Sequence, residues 1–241
     1  MPLASSLLAR RHVVCGCCTT LAVSALSART LAADEPVVVP VEIAPFHTVP
    51  TGNKFADVIS ARIPPGKVGS WHRHVRDFAQ IWMGVSETET TVLGEKPVRF
   101  SSRKVGQTAF ASYASKPLVH NVANVGETEF HVMGIQLKDF SPSEHMLEQR
   151  PKPYEVVIDN ERLIGWRLTL EPGQAAPSIR QVGLVARFIV QSANVSEAYA
   201  DGTSHEMYLK HAEFLWLEPA MSRTVANSGK TTLELVDFEL K

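Results

Sequence analysis

Residues 64–84 read PPGKVGSWHRHVRDFAQIWMG, and this stretch determines how the rest of the chain is interpreted. After the turn-forming Pro-Pro-Gly come two histidines, His72 and His74, two positions apart. Residues i and i+2 of a β-strand point to the same face, so both imidazoles are expected to project together. Neutral imidazole binds iron, copper, nickel and zinc, and the pair therefore indicates the start of a metal site. Asp77, three residues further on, offers an additional oxygen ligand.

The surroundings of this stretch are repeated later in the chain. Residues 170–173 (LEPG) match residues 63–66 (IPPG) at an offset of 107, and residues 225–229 (VANSG) match residues 122–126 (VANVG) at an offset of 103. Both copies end in a long β-rich run, and the many short β-rich runs and 15 prolines favour an all-β protein. The pattern predicts a duplicated β unit.

The histidine stretch resembles the first motif of the cupin superfamily. Gly66 is followed by five residues, His72-x-His74, two residues, Asp77, six residues and Gly84. The superfamily motif has the same order of residues. It differs in the acidic residue, which is a glutamate and follows the second histidine after three or four residues, where this chain has two residues and then Asp77. Counting back over the six residues before Gly84 puts Asp77 in the acidic position of the motif. Counted from His74, Asp77 comes one residue earlier than the family's glutamate, and its side chain is shorter.

A second cupin motif is indicated by His120, which is followed by Asn124, although the usual Pro-x-Gly before the histidine is missing. The resemblance covers about residues 55–240 and implies two tandem jelly-roll barrels (double-stranded β-helices), a bicupin. We expect an export signal at 1–33, an N-terminal barrel at 34–138, a linker at 139–153 with a short helix near 142–149, and a degenerate C-terminal barrel at 154–241.

The resemblance also implies the metal ligands. Carried over from the family, they are His72, His74 and His120, with Asp77 as a further candidate. They imply one divalent metal, with Fe(II) favoured and Mn, Ni, Zn or Cu compatible. Three imidazoles leave coordination positions open for water, oxygen or substrate, as a catalytic site requires. The alternative is a barrel whose histidines merely fill its interior.

The second copy lacks these ligands. The offsets of 107 and 103 put Ile179, Gln181 and Arg223 at the positions of the three histidines. We therefore predict no metal in the C-terminal barrel and a structural role for it, covering the first barrel as a second subunit would. An alternative is that Arg180 or Arg223 binds an anion there.

The function is narrowed to two classes. The first class is a metalloenzyme that acts on a small molecule. Within it we favour a dioxygenase over an isomerase, lyase or decarboxylase, because those reactions need a proton-transfer group and Asp77 is the only candidate for one. The second is a non-catalytic periplasmic protein that binds a small ligand. Gln80, Tyr113 and Met133 are candidate substrate-pocket residues, while His47 lies outside any motif.

The first 33 residues have the features of an export leader. Arg10-Arg11 precedes a mildly apolar run over residues 13–26, and small residues follow at 30–33. The paired arginines resemble a twin-arginine signal, and an ordinary secretory leader is the alternative. All three cysteines lie at positions 15–18, which excludes disulfides and thiolate ligands from the remaining chain. The sequence predicts a periplasmic or secreted protein.

The charge balance limits the partners. Removing residues 1–33 takes away three arginines and no acid, which changes the formal charge from −1 to −4. The remaining chain has no basic run of the kind that nucleic acid or anionic membrane requires, so both are excluded as partners. A small molecule is the expected ligand, and a homo-oligomer is compatible with the sequence.

Overall fold

Nearly all of the regular structure is β-strand. The computed structural model describes residues 35–139, 147–219 and 222–241. The first half contains β1 (Val39–Pro40), β2 (His47–Gly52), β3 (Ala56–Ile63), β4 (His72–His74), β5 (Phe78–Gly84), β6 (Thr88–Val92), β7 (Val98–Phe100), β8 (Thr108–Ala111), β9 (Leu118–Asn124) and β10 (Phe130–Leu137). The second half contains β11 (Glu155–Asp159), β12 (Leu163–Leu170), β13 (Val185–Gln191), β14 (Ala193–Tyr199), β15 (Ser204–Leu209), β16 (Phe214–Leu217), β17 (Arg223–Asn227) and β18 (Leu233–Leu240).

Each half consists of two sheets. In the first half the strand orders are β1-β4-β9-β6-β7 and β2-β3-β10-β5-β8. In the second half they are β11-β12-β18-β13-β16 and β15-β14-β17. The large sheets correspond strand by strand, because β12-β18-β13-β16 repeats the order β3-β10-β5-β8. The predicted all-β architecture of two tandem jelly-roll units is confirmed.

The duplication extends to individual hydrogen bonds. The side-chain amide of Asn124 donates a 2.8 Å hydrogen bond to the carbonyl of Ile63, at the end of β3. The amide of Asn227 donates a 2.8 Å hydrogen bond to the carbonyl of Leu170, at the end of β12. These are the residues that the offsets of 103 and 107 pair. Each buried asparagine therefore ties the end of β9 or β17 to the large sheet of its own half.

A shared apolar core joins the two halves. Side chains on one face of β3, β5 and β10 pack with side chains on β12, β13 and β18, and they are at most 1% exposed: Val58, Ile81, Met83 and Ile135 with Ala186, Phe188, Val236 and Phe238. Burial of each large side chain contributes roughly 1.5–3 kcal/mol. The second half therefore covers the large sheet of the first, in agreement with the structural role expected for it.

Two predicted segments fall wholly or partly outside the described residues. The export signal at 1–33 lies outside them, and so do residues 142–146 of the helix predicted near 142–149. Residues 147–149 are described and are not helical. Within the described ranges, no helix is long and apolar enough to cross a membrane.

Candidate metal centre

Strand pairing brings three histidines together in the N-terminal barrel. His72 and His74 are the first and last residues of β4, so strand alternation turns both side chains to one face. His72 pairs directly with His120 of β9 in the antiparallel register. Directly opposed residues on one face of an antiparallel pair have adjacent side chains. The local sequence of β4 and its register with β9 thus assemble the cluster.

The three imidazoles are within reach of a single ion. Their ring centroids are separated by 4.5 Å (His72 to His120), 5.1 Å (His72 to His74) and 5.2 Å (His74 to His120). One ligand atom from each ring lies within 4.8 Å of the others. His72 and His74 are buried and His120 is partly buried. This arrangement fits a divalent metal held by three nitrogen ligands.

The hydrogen bonds leave ring nitrogens free for such an ion. His72 Nδ1 lies 3.0 Å from the carbonyl oxygen of Ser70, so Nδ1 donates and Nε2 keeps its lone pair. His74 Nδ1 and both ring nitrogens of His120 are buried and have no hydrogen-bond partner in the described chain. Buried polar atoms are normally satisfied, and these orphaned nitrogens therefore fit a metal site better than a merely packed interior.

The surroundings keep these histidines neutral. Burial lowers the pKa of His72 to about 4, and of His120 to about 3 with a further contribution from the charge of His72. Burial together with the charges of His120 and His72 lowers the pKa of His74 to about 2. All three imidazoles are thus deprotonated at neutral pH, which is the form that binds a metal.

Asp77 is not part of the cluster, which corrects its place among the candidate ligands. Its Oδ1 accepts a 3.0 Å hydrogen bond from the backbone N–H of Ala114. Its Oδ2 accepts one of 3.2 Å from Arg162, a residue of the second half. The reason is that Asp77 lies in neither strand but in the irregular segment between β4 and β5, which brings its carboxylate to Ala114 and Arg162. Asp77 instead links the two halves of the chain.

The cluster lies on a cavity of about 210 Å³ inside the barrel. Of the predicted pocket residues, Gln80 and Tyr113 line this cavity. Met133 does not, because on β10 the side chains of Phe130 and Val132 face the cavity. Met133 has the opposite parity and lies in the apolar core shared by the two halves, where it is 3% exposed.

His47 belongs to the site although no sequence motif marks it. Its ring centroid lies 4.6 Å from that of His72, and its side chain lines the cavity. His47 is outside the three-histidine cluster, and burial lowers its pKa. It reaches the site because β2 pairs with β3, with His47 opposite Ala61. A signal for this pairing is absent from the local sequence.

The second barrel repeats the pairing without the ligands. Ile179 forms a β-bridge with Arg223, just as His72 pairs with His120. Gln181, at the position of His74, donates hydrogen bonds to three backbone carbonyls.

Arg223 belongs to a charge-balanced group of buried side chains. Three buried guanidinium groups and three buried carboxylates lie in this part of the barrel: Arg150, Arg187, Arg223, Glu197, Asp237 and Glu239. Burial and the charge of Arg187 lower the pKa of Arg223, and the charges of Asp237 and Glu197 only partly oppose that lowering. Two nitrogens of its guanidinium, Nε and Nη2, are buried without a hydrogen-bond partner in the described chain, so anion binding by Arg223 stays an open alternative. Arg180, the other candidate, is exposed.

Comparison with known proteins supports the fold. No family model and no curated protein matches this sequence. Among solved structures, AerE from Microcystis aeruginosa is similar over 83% of this chain and 99% of its own, with 13% identity and a TM-score of 0.56. YhaK from Escherichia coli is similar over 80% of this chain and 87% of its own, with 10% identity and a TM-score of 0.55.

A third structure carries the fold name in its description. The cupin 2 conserved barrel domain protein from Leptotrichia buccalis is similar over 81% of this chain and 88% of its own, with 9% identity and a TM-score of 0.51. At such low identity the similarity concerns the fold alone. Together with the duplicated jelly-roll units, it identifies this chain as a protein of the cupin fold, with two barrels and a three-histidine cluster in the N-terminal one.

Proposed function

We propose that this protein is a metalloenzyme for a small organic molecule, with one divalent metal held by His72, His74 and His120. The observation that carries the proposal is the cluster of neutral imidazoles with unpartnered nitrogens on an internal cavity. A metal bound there would supply a Lewis acid or activate oxygen. The chain itself would bind the substrate between apolar walls, keep water out and orient the ligands.

Within this class we favour oxygen-dependent chemistry of the dioxygenase type, with Fe(II) as the metal. Reactions that shift protons, such as isomerisation, need a group that accepts a proton near the substrate. No Asp or Glu is among the described residues that line the cavity. Asp77 is held by Ala114 and Arg162 instead. Thus none of the described residues in the cavity wall could act as a carboxylate base.

His47 favours a second candidate function. It is a neutral imidazole on the cavity wall, beside the cluster but outside it. Imidazole is the most frequent general base in enzymes. An isomerase, lyase or decarboxylase in which His47 carries the proton is therefore the alternative metalloenzyme. A periplasmic protein that binds a small ligand without catalysis is the alternative outside enzymes.

The metal content of protein purified from its native cells tests the proposal. We expect about one iron per chain. Zinc as the main metal would contradict the oxygen-dependent reaction, because zinc has no redox chemistry, and would favour proton transfer through His47. Manganese as the main metal would contradict the preference for Fe(II). A metal-free protein that still binds a small molecule would contradict the enzyme and favour the binding protein.

We also propose that residues 1–33 direct export. Fractionation of the native cells should find a chain that begins near Ala33 or Asp34 in the periplasm or outside the cell. Replacing Arg10 and Arg11 by lysine should retain the precursor in the cytoplasm if the twin-arginine route is used, and leave export unchanged for an ordinary secretory leader. A full-length cytoplasmic chain as the main wild-type form would contradict the proposal.

A further inference from the structure

One cation lies in the wall of the metal-site cavity without an anionic partner. Arg103, between β7 and β8, is the only Lys or Arg among the described residues that line the cavity. Its Nη1 donates a 2.8 Å hydrogen bond to Thr88 Oγ1. No ion pair joins Arg103 to any carboxylate within the described ranges, although exposed arginines such as Arg62 and Arg99 have partners.

Aromatic rings hold this guanidinium in place. Its central carbon lies 4.1 Å from the ring centroid of Phe100, 5.2 Å from that of Trp82 and 5.8 Å from that of Phe130. Such contacts orient an arginine but do not neutralise its charge. Partial burial lowers the pKa of Arg103, and no neighbouring carboxylate opposes that effect. The cavity wall therefore carries a partly desolvated positive charge that an anion would stabilise.

Arg103 and the histidines lie at different levels of the barrel. On β6, Val92 pairs with His120, whereas Thr88, the hydrogen-bond partner of Arg103, pairs with Asn124. Four residues of strand separate these levels, which corresponds to about 13 Å of backbone. The stretch of wall between them is mainly apolar and includes Ile63, Val122 and Val132.

On the basis of the proposed metal-dependent function, we propose that the substrate is an elongated organic monocarboxylate with an apolar body. Its carboxylate would accept hydrogen bonds from Arg103, and the opposite end would face the three histidines. One guanidinium balances one carboxylate, and its fork of N–H donors matches the two carboxylate oxygens. Trp82 also lines the cavity, and its buried Nε1–H has no hydrogen-bond partner in the described chain.

The test compares 4-phenylbutyrate with its neutral amide, 4-phenylbutanamide, by isothermal titration calorimetry of metal-free protein, in which no metal can bind the carboxylate. We expect the acid to bind wild type at least roughly tenfold more tightly than the amide. Arg103→Met should bring the affinity for the acid down to that for the amide, and Arg103→Lys should keep part of the preference. Arg99→Met is the matched control, because it removes an exposed arginine outside the cavity wall and should preserve the full preference.

Three results would overturn the proposal: no binding of the acid to wild type, equal affinity for acid and amide, or an undiminished preference in Arg103→Met. Continued binding of the amide by Arg103→Met shows that the cavity is intact. The metal content, measured separately, keeps the two proposals distinct. A preference for the acid in a protein that never binds metal would contradict the metalloenzyme alone. Full metal content without that preference would contradict the carboxylate site alone.

Discussion

Replacing His74 by alanine is expected to remove most of the bound metal from the protein. The same result is expected for His72→Ala and His120→Ala, because each change removes one of three nitrogen ligands. A site with only two imidazole ligands would bind the metal with much lower affinity. Elemental analysis of the purified variants, after loading with Fe(II) and removal of excess metal, measures the effect.

Several variants serve as controls for this experiment. Asp77→Ala should keep the metal content of wild type, because the Asp77 carboxylate is bonded to Ala114 and Arg162 and not to the cluster. His205→Ala removes an exposed histidine of the second half and should have no effect. Gln181→Ala and Arg223→Ala, at the ligand-equivalent positions, should also leave the metal content unchanged. Wild-type metal content in His74→Ala would show that the site is elsewhere.

Arg187→Met is expected to produce the largest loss of stability. Arg187 is 0% exposed, binds Asp237 through two hydrogen bonds of 2.7 and 3.0 Å, and binds Glu197 through one of 2.6 Å. Removing the guanidinium leaves two buried carboxylates without this partner, which costs about 3–5 kcal/mol. For a chain of this size, thermal unfolding should occur roughly 6–20 °C below wild type.

Thermal unfolding followed by circular dichroism measures this effect, with Arg99→Met as the control. Arg99 forms an exposed ion pair with Glu87, which is screened by solvent and salt, so its loss should leave the midpoint nearly unchanged. Equal midpoints for Arg187→Met and wild type would contradict the structural role assigned to the network.

The same network predicts how stability depends on pH. Burial alone would raise the pKa of Asp237, but the charge and hydrogen bonds of Arg187, together with the charges of Arg150 and Arg223, outweigh burial and hold this pKa below its ordinary value. A carboxyl with a lowered folded-state pKa stabilises the fold above its unfolded-state pKa of about 4. That stabilisation is lost as the pH falls further. The difference in thermal unfolding midpoint between wild type and Arg187→Met, measured at several pH values, should therefore narrow as the pH falls below about 4, and a constant difference would contradict this assignment.

The sequence was sufficient to predict the repeat and the cluster. The matches of residues 63–66 and 122–126 with the second half gave two offsets. In the structure, residues related by these offsets form equivalent strand pairings: His72 pairs with His120, and Ile179 pairs with Arg223. Two histidines on one short strand need only alternation to share a face. The histidine pair and the repeat can be read from local pattern and duplication, whereas His120 joined the predicted cluster through the cupin resemblance.

Other features depend on contacts that no local pattern records. His47 reaches the cluster through the pairing of β2 with β3, and Arg103 reaches the cavity from an irregular segment. Asp77 was misplaced because matching a motif by spacing does not record where the irregular segment between two strands carries a side chain. Met133 was misplaced for a different reason. On β10, nothing in the sequence marked which face was internal.

Anomalous diffraction from crystals of the wild-type protein, measured at the absorption edge of the bound metal, tests the central claim most directly. The account predicts one peak per chain, about 2.0–2.1 Å from one ring nitrogen each of His72, His74 and His120. It predicts no peak beside Gln181 and Arg223 in the second barrel. An N-terminal barrel without a peak after metal loading, or a peak in the second barrel, would contradict it.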